Sequence, residues 1–373
     1  MLIYLGLSAV TVFLATLVLL QFGESSSLAA AHLVFAVGIL PLIFGAITHF
    51  APVLTRSGRA HRSVLFAPLL LQAAGLTVFL HFYGLAGGWA LYLAAAGALF
   101  LAIAFAGWLV LRARRTLGKP HPGWRWYLAA IALLSLSLLL VPLMAWWPDA
   151  YHPLRLIHLH LNTLGFVGLT AIGTLQVLLP TVLSGPDAEA AARLRRDLPV
   201  AVGGVLAVGL GSAFWLPLAL IGSALLLVVS ARLGVSWWRR YGLRKIFADG
   251  ASAALAVALS GFVLLLLAGV AHALRLVDAR HAIPAFVVAF LLPLVSGALS
   301  QLLPVWRYPG PRTPAREQMR AMLVSGGALR SVFFLAGGLA LATGNSDGLW
   351  LAAAGILSFL VAIFRSRSAG KAG

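Results

Sequence analysis

Long apolar runs separated by short basic loops constrain the fold of this chain more than any other feature. A helix needs about 20 apolar residues to cross the hydrocarbon core of a bilayer. Only 10% of the residues are charged, against about 25% in a typical soluble domain, so most of the chain must face lipid or other apolar helices. The pattern predicts an all-α polytopic membrane protein with twelve spans. They are residues 2–22, 29–54, 63–83, 88–111, 125–146, 155–183, 198–216, 218–236, 250–274, 281–305, 321–343 and 348–365.

The basic residues predict how the chain is oriented. Arg and Lys follow every even-numbered span, whereas the loops after the odd-numbered spans are nearly neutral. By the positive-inside rule, both termini are then cytoplasmic, and Arg365, Arg367 and Lys371 at the end of the chain fit the same pattern. This placement accounts for the net charge of +18 through membrane topology, without a nucleic-acid partner.

A short motif recurs at the inner ends of spans two, six and ten. Each copy has a glycine and a proline seven residues apart, and the prolines are separated by 128 and 124 residues, about the length of four spans. This period predicts three four-helix units in a pseudo-threefold arrangement, at about 1–124, 125–249 and 250–373. The alternative is a chance match among leucine-rich helices. The pairs are Gly45 and Pro52, Gly173 and Pro180, and Gly297 and Pro304.

Histidines lie near the outer ends of the same three spans. His32 and His160 each precede their repeat proline by 20 residues, His158 by 22 and His281 by 23. Neutral imidazole binds haem iron or copper, and two rings from facing helices can hold a haem in a bundle. The alternative is that each histidine is an interfacial polar residue that bonds a neighbouring helix.

The spacing on span six separates its two histidines. His158 and His160 lie about 200° apart around a helix, so they cannot both face one ligand squarely. Asn162 shares a face with His158 and is expected to fix its tautomer or to contact a neighbouring helix. The following stripe of small residues, Gly165, Gly168, Ala171 and Gly173, allows either close helix packing or a flat macrocycle.

The positions of the charged residues limit which functions and cofactors are compatible with the sequence. The acidic residues all fall in loops or at span ends, which disfavours an ion-coupled transporter or proton pump. The chain has no cysteine, which excludes iron–sulfur clusters and c-type haem. Arg155, Arg275 and Arg280 are candidate partners for haem propionates, although arginine also anchors helices at the interface. Arg330, inside span eleven, is expected to snorkel to the cytoplasmic face, and the alternative is a functional role.

Twelve spans in three units, with these histidines, resemble the catalytic subunit of the haem–copper oxidase superfamily. In size the chain is more similar to the NnrS family, and the segment 158–166 looks like the histidine-rich helix of such small proteins. The resemblance implies a protein of the bacterial inner (cytoplasmic) membrane. It also implies b-type haem and copper as cofactors, and a role in nitric oxide metabolism or membrane electron transfer. It implies His32 and His281 as axial ligands and His158 or His160 as a copper ligand.

The sequence also departs from the oxidase pattern. Span seven has no histidine, and span ten has only His281, so the resemblance does not extend to oxygen reduction and leaves at most a nitric oxide-related oxidoreductase. Two other hypotheses stay open: a small-solute transporter or channel without a cofactor, and a scaffold or assembly factor. The expected partners are the lipid bilayer, haem, nitric oxide and a redox partner that the sequence does not identify.

Overall fold

The protein is all-helical. The structure, a computed structural model, describes residues 1–22, 27–116, 118–185 and 187–366, and within them there is no β-strand. Twelve helices there are long and apolar enough to cross a membrane, which confirms the predicted number. They are α1 (Leu2–Phe22), α2 (Leu28–Leu54), α3 (Arg62–Phe82), α4 (Gly88–Arg114), α5 (Gly123–Trp146), α6 (Pro148–Val182), α7 (Ala190–Phe214), α8 (Leu216–Ala248), α9 (Gly250–Ala273), α10 (Ala282–Arg307), α11 (Pro314–Ala342) and α12 (Gly348–Ser366).

The helices group into two compact units. The first comprises Met1–Thr174 and Ala188–Val229, and the second comprises Leu175–Asp187 and the chain from Ser230 onward. In the first unit the indole nitrogen of Trp126, which is fully buried, donates a hydrogen bond to the Leu194 carbonyl at 2.9 Å. The division into three four-helix units stays a prediction, and Arg367 and Lys371 lie outside the described residues.

Helices α2, α6 and α10 share a feature that the sequence analysis did not predict. Each contains one π-helical segment, and these segments end 13, 12 and 13 residues before Pro52, Pro180 and Pro304. Segments of this kind are rare and frequently lie at functional sites. The segments are Leu33–Ile39, Leu161–Gly168 and Val287–Leu291.

Prolines explain two of the three segments. Pro41 and Pro293 follow the π-helical turns of α2 and α10 by two residues. A proline inside a helix has no N–H for the carbonyl four residues earlier, which for Pro41 is that of Val37. The side chain of Gln72 on α3 donates to this carbonyl at 3.2 Å. The segment of α6 has no such proline and instead includes two glycines.

The repeated glycines make equivalent contacts. A Cβ added to Gly45 would lie 2.6 Å from Leu5 on α1, and one added to Gly173 would lie 2.7 Å from Trp126 on α5. One added to Gly297 would lie 2.9 Å from Ala254 on α9. Each repeat glycine therefore allows its helix to pack closely against the helix before it.

Helix α11 is interrupted. It consists of α11a (Pro314–Val324) and α11b (Gly327–Ala342), separated by Ser325 and by Gly326 at φ 68°. The prediction that Arg330 snorkels to the surface is wrong: only 2% of this residue is exposed, and its guanidinium donates to the Leu323 carbonyl at 3.0 Å. The interruption supplies that carbonyl, so the side chain turns into the protein.

Candidate functional site

The π-helical segments position two of the predicted histidines identically. His32 directly precedes the segment of α2, and His160 directly precedes that of α6. The Nδ1 atom of His32 lies 2.8 Å from the Leu28 carbonyl oxygen, and that of His160 lies 2.8 Å from the Leu156 carbonyl oxygen. Because a carbonyl oxygen only accepts, each Nδ1 carries the hydrogen and the lone pair is on Nε2. This is the tautomer that metal-binding histidines commonly have.

His158 is held by the neighbouring helix α5. Its Nδ1 donates to the Ser137 carbonyl at 2.9 Å and lies 3.3 Å from the Ser137 hydroxyl. Asn162 donates from its side-chain amide both to this hydroxyl and to the His158 carbonyl, the latter at 2.8 Å. Ser137 is fully buried. Asn162 therefore fixes His158 through Ser137, a residue that the sequence analysis missed.

The two histidines of α6 face different neighbours. His158 faces α5, whereas the Nδ1 of His160 lies 3.2 Å from the Ser212 hydroxyl on α7. This agrees with the angle of about 200° expected from helix geometry. A ligand bound by His158 is therefore not shared squarely with His160.

The first unit brings His32, His81 and His158 together. His32 lies within electrostatic range of His158 and of His81. The ring of Phe82 stacks on that of His32 with centroids 4.4 Å apart, and the ring of His81 meets Phe82 edge-on at 5.1 Å. The Nδ1 of His81 donates to the Ala86 carbonyl at 3.0 Å. All three histidines therefore have Nδ1 bonded to a backbone carbonyl.

His32 and His158 are both partly buried. Both are densely surrounded by protein atoms, yet both keep part of their surface exposed. His81 and Phe82 were not predicted as site residues. They lie at the end of α3. Because consecutive spans run antiparallel, α3 ends at the same side of the membrane where α2 begins, and this could have identified them as neighbours of His32.

The other predicted residues are placed as follows. Arg155 is exposed on α6, one turn before His158. Arg280 is exposed and pairs with Asp278 at 2.6 Å, and its hydrogen bond holds the pKa of the Asp278 carboxyl below its usual value. Arg275 is exposed in the left-handed region, at φ 62°. His281 is half-buried against Gly344.

The predicted pairing of His32 with His281 stays a prediction, because the two residues belong to different compact units. Among the described residues, no group of three or more histidine, aspartate or glutamate side chains is arranged to hold a metal ion. The candidate site therefore consists of the pair His32 and His158, with the residues that contact them.

The glycine stripe of α6 serves helix packing. A Cβ on Gly165 would lie 3.0 Å from Leu133 on α5, and one on Gly173 would lie 2.7 Å from Trp126 on the same helix. Neighbouring side chains therefore fill the space beside both glycines, which favours close packing over a macrocycle at these two positions.

Comparisons with known proteins add no family to this description. No protein-family description matches the chain, and no curated protein matches it.

Proposed function

We propose that this chain is a haem-binding integral membrane protein in which His32 and His158 are the axial ligands of the iron. The observation that carries the proposal is the proximity of two half-buried histidines on different helices, each with Nδ1 anchored to a backbone carbonyl. This leaves Nε2 of each ring as the atom that would bind a metal.

The ligand set fits haem better than a bare metal ion. A porphyrin supplies four equatorial nitrogens, so the protein needs to add only two axial ligands. A tetrahedral ion such as zinc requires three or four ligands from the protein. The sequence has no cysteine, so the haem would be held without a covalent link to the chain, as a b-type haem is. The alternative of copper at His158 or His160 rests on the family resemblance alone.

The surrounding residues have definite roles in such a site. The stacked ring of Phe82 limits rotation of His32, and Ser137 with Asn162 fixes the orientation of His158. Arg155, one turn before His158 and exposed, would bind a propionate through a charge-assisted hydrogen bond.

Bound haem would supply one-electron chemistry. With a histidine ligand from each of two helices, this arrangement would favour membrane electron transfer over direct binding of a gas. A role in nitric oxide metabolism or resistance is the other form of the proposal, and it rests on the resemblance to NnrS proteins.

The test is the visible spectrum and haem content of the detergent-purified protein, oxidised and then reduced with dithionite. We expect a sharp reduced α-band in the wild type. The variants His32→Ala and His158→Ala should lose about 90% or more of the haem, because removing an axial ligand costs at least the 10- to 100-fold in affinity known for residues that merely support a ligand.

His160→Ala is the matched control, because His160 has the same backbone anchor but faces α7. It should keep the α-band, as should His281→Ala. Loss of the band in His281→Ala with retention in His158→Ala would instead establish the pair implied by the oxidase resemblance. A colourless wild type, produced with excess haem, would contradict the proposal and favour a transporter, channel or scaffold.

A further inference from the structure

The interruption of α11 places a helix N-terminus inside the second unit. Gly250, at the start of α9, packs directly against the break: a Cβ there would lie 2.1 Å from the Val324 carbonyl oxygen and 2.9 Å from the Cα of Gly327. Gly326 is the N-cap residue of α11b and has no side chain that could cap the first N–H groups of that helix. Such N–H groups and the helix dipole together attract anions.

Arg330, one turn into α11b, is directed at this break. Its Nη2 donates to the Leu323 carbonyl at 3.0 Å, on the far side of the interruption. Its Nε and Nη1 are buried and have no hydrogen-bond partner among the described residues. The guanidinium carbon lies 4.8 Å from the centre of the Phe359 ring, which covers one face.

The buried guanidinium of Arg330 therefore has donor groups without acceptors in the part of the chain that the structure describes. A guanidinium has five N–H donors, and a buried charge without partners is strongly unfavourable. Asp249, which directly precedes Gly250, is already engaged: it accepts from Arg320 at 2.7 Å and from the backbone N–H of Ala251 at 2.9 Å. The side chain of Gln301 also accepts from Arg320, at 2.8 Å.

We propose that Arg330 and the N-terminus of α11b form a binding site for a phosphoryl oxyanion. A phosphoryl group has several acceptor oxygens, which can accept at once from the guanidinium fork and from uncapped backbone N–H groups. The group can come from a phospholipid head or from free phosphate, and both present the same chemistry.

The experiment measures thermal unfolding of the delipidated full-length protein in detergent. Inorganic phosphate is titrated against chloride at constant ionic strength. In a second arm, phosphatidylglycerol is compared with diacylglycerol, which lacks the phosphoryl group. A ligand that binds only the folded state raises Tm, and we expect a rise of about 3 °C at saturation. A rise with phosphatidylglycerol alone would identify a lipid head, and one with both would identify phosphate chemistry in general.

Arg330→Gln should abolish the rise in Tm, whereas Arg312→Gln, at an exposed position, should keep it. Arg330→Lys keeps the positive charge but lacks the planar guanidinium, so it should reduce the rise in Tm. This variant serves as the test if Arg330→Gln does not fold. Absence of any rise in the wild type, or a full rise in a folded Arg330 variant, would overturn the proposal.

Discussion

At the residue scale, His121 makes stability depend on pH. It precedes α5, donates its backbone N–H to the Leu54 carbonyl at 2.8 Å and accepts from the Gly123 N–H at Nδ1, 3.3 Å away. Burial, and then the charge of Arg195, lower the pKa of this imidazole. Below the ordinary pKa of about 6.5, the folded state therefore binds fewer protons than the unfolded state. The free energy of unfolding is then independent of this group at higher pH and decreases as the pH falls below about 6.5.

We expect Tm to fall between pH 7.5 and pH 5.5, and to fall less in His121→Asn. Asparagine keeps an acceptor for the Gly123 N–H but does not titrate. His152→Asn, at an exposed position, should retain the slope of the wild type. Thermal unfolding followed by circular dichroism at several pH values tests this, and equal slopes in wild type and His121→Asn would contradict it.

The sequence analysis singled out the histidines of α2 and α6 but not the residues that contact them. Spacing along α6 was enough to separate His158 from His160, because the angle between them depends only on helix geometry. It could not predict that Ser137 anchors His158, or that Phe82 stacks on His32. Those contacts depend on how α3 and α5 pack, which no local pattern encodes.

At the scale of the helices, the π-helical segments of α2 and α10 each require a glycine on a neighbouring helix. A Cβ on Gly75 of α3 would lie 2.2 Å from the Ala36 carbonyl oxygen in the π-helical segment of α2. A Cβ on Gly261 of α9 would lie 2.0 Å from the Ala289 carbonyl oxygen in the segment of α10. The π-helical turns therefore present backbone directly to a glycine in two different places.

Gly261→Ala should lower Tm, because the added methyl would displace the backbone of α10, and overpacking costs about 1–3 kcal/mol. Gly269→Ala is the matched control on the same helix, where an added Cβ has nothing within 4 Å. There alanine should leave Tm unchanged or raise it, since it favours a helix by about 1 kcal/mol over glycine. Similar Tm values for the two variants, measured in one detergent, would contradict this account.

Hydropathy predicted the twelve helices because a span needs only length and apolar composition. It could not predict the π-helical segments, since a change of hydrogen-bond register leaves composition unaltered. Pro41 and Pro293, each 11 residues before its repeat proline, were a signal that could have revealed two of them. The glycines at Gly326 and Gly327 were a similar signal for the break in α11, which redirects Arg330.

At the scale of the whole molecule, orientation decides which side of the membrane each site serves. The loop charges predict that the basic even-numbered exits are cytoplasmic. The natural chain contains no cysteine, so single-cysteine variants report on one position each. Four exposed positions in loops or at helix ends suit this test: Arg59 and Glu317 on the predicted inner side, and Asp149 and Ser346 on the predicted outer side.

A membrane-impermeant maleimide applied to intact spheroplasts should label Asp149→Cys and Ser346→Cys. It should label Arg59→Cys and Glu317→Cys only after the membrane is permeabilised, because their loops lie on the predicted cytoplasmic side. Each compact unit contributes one inner and one outer position, so each unit is tested separately. Reversed labelling would place the histidine-bearing end of α2 on the cytoplasmic side, where a haem bound there would exchange electrons with cytoplasmic rather than external donors.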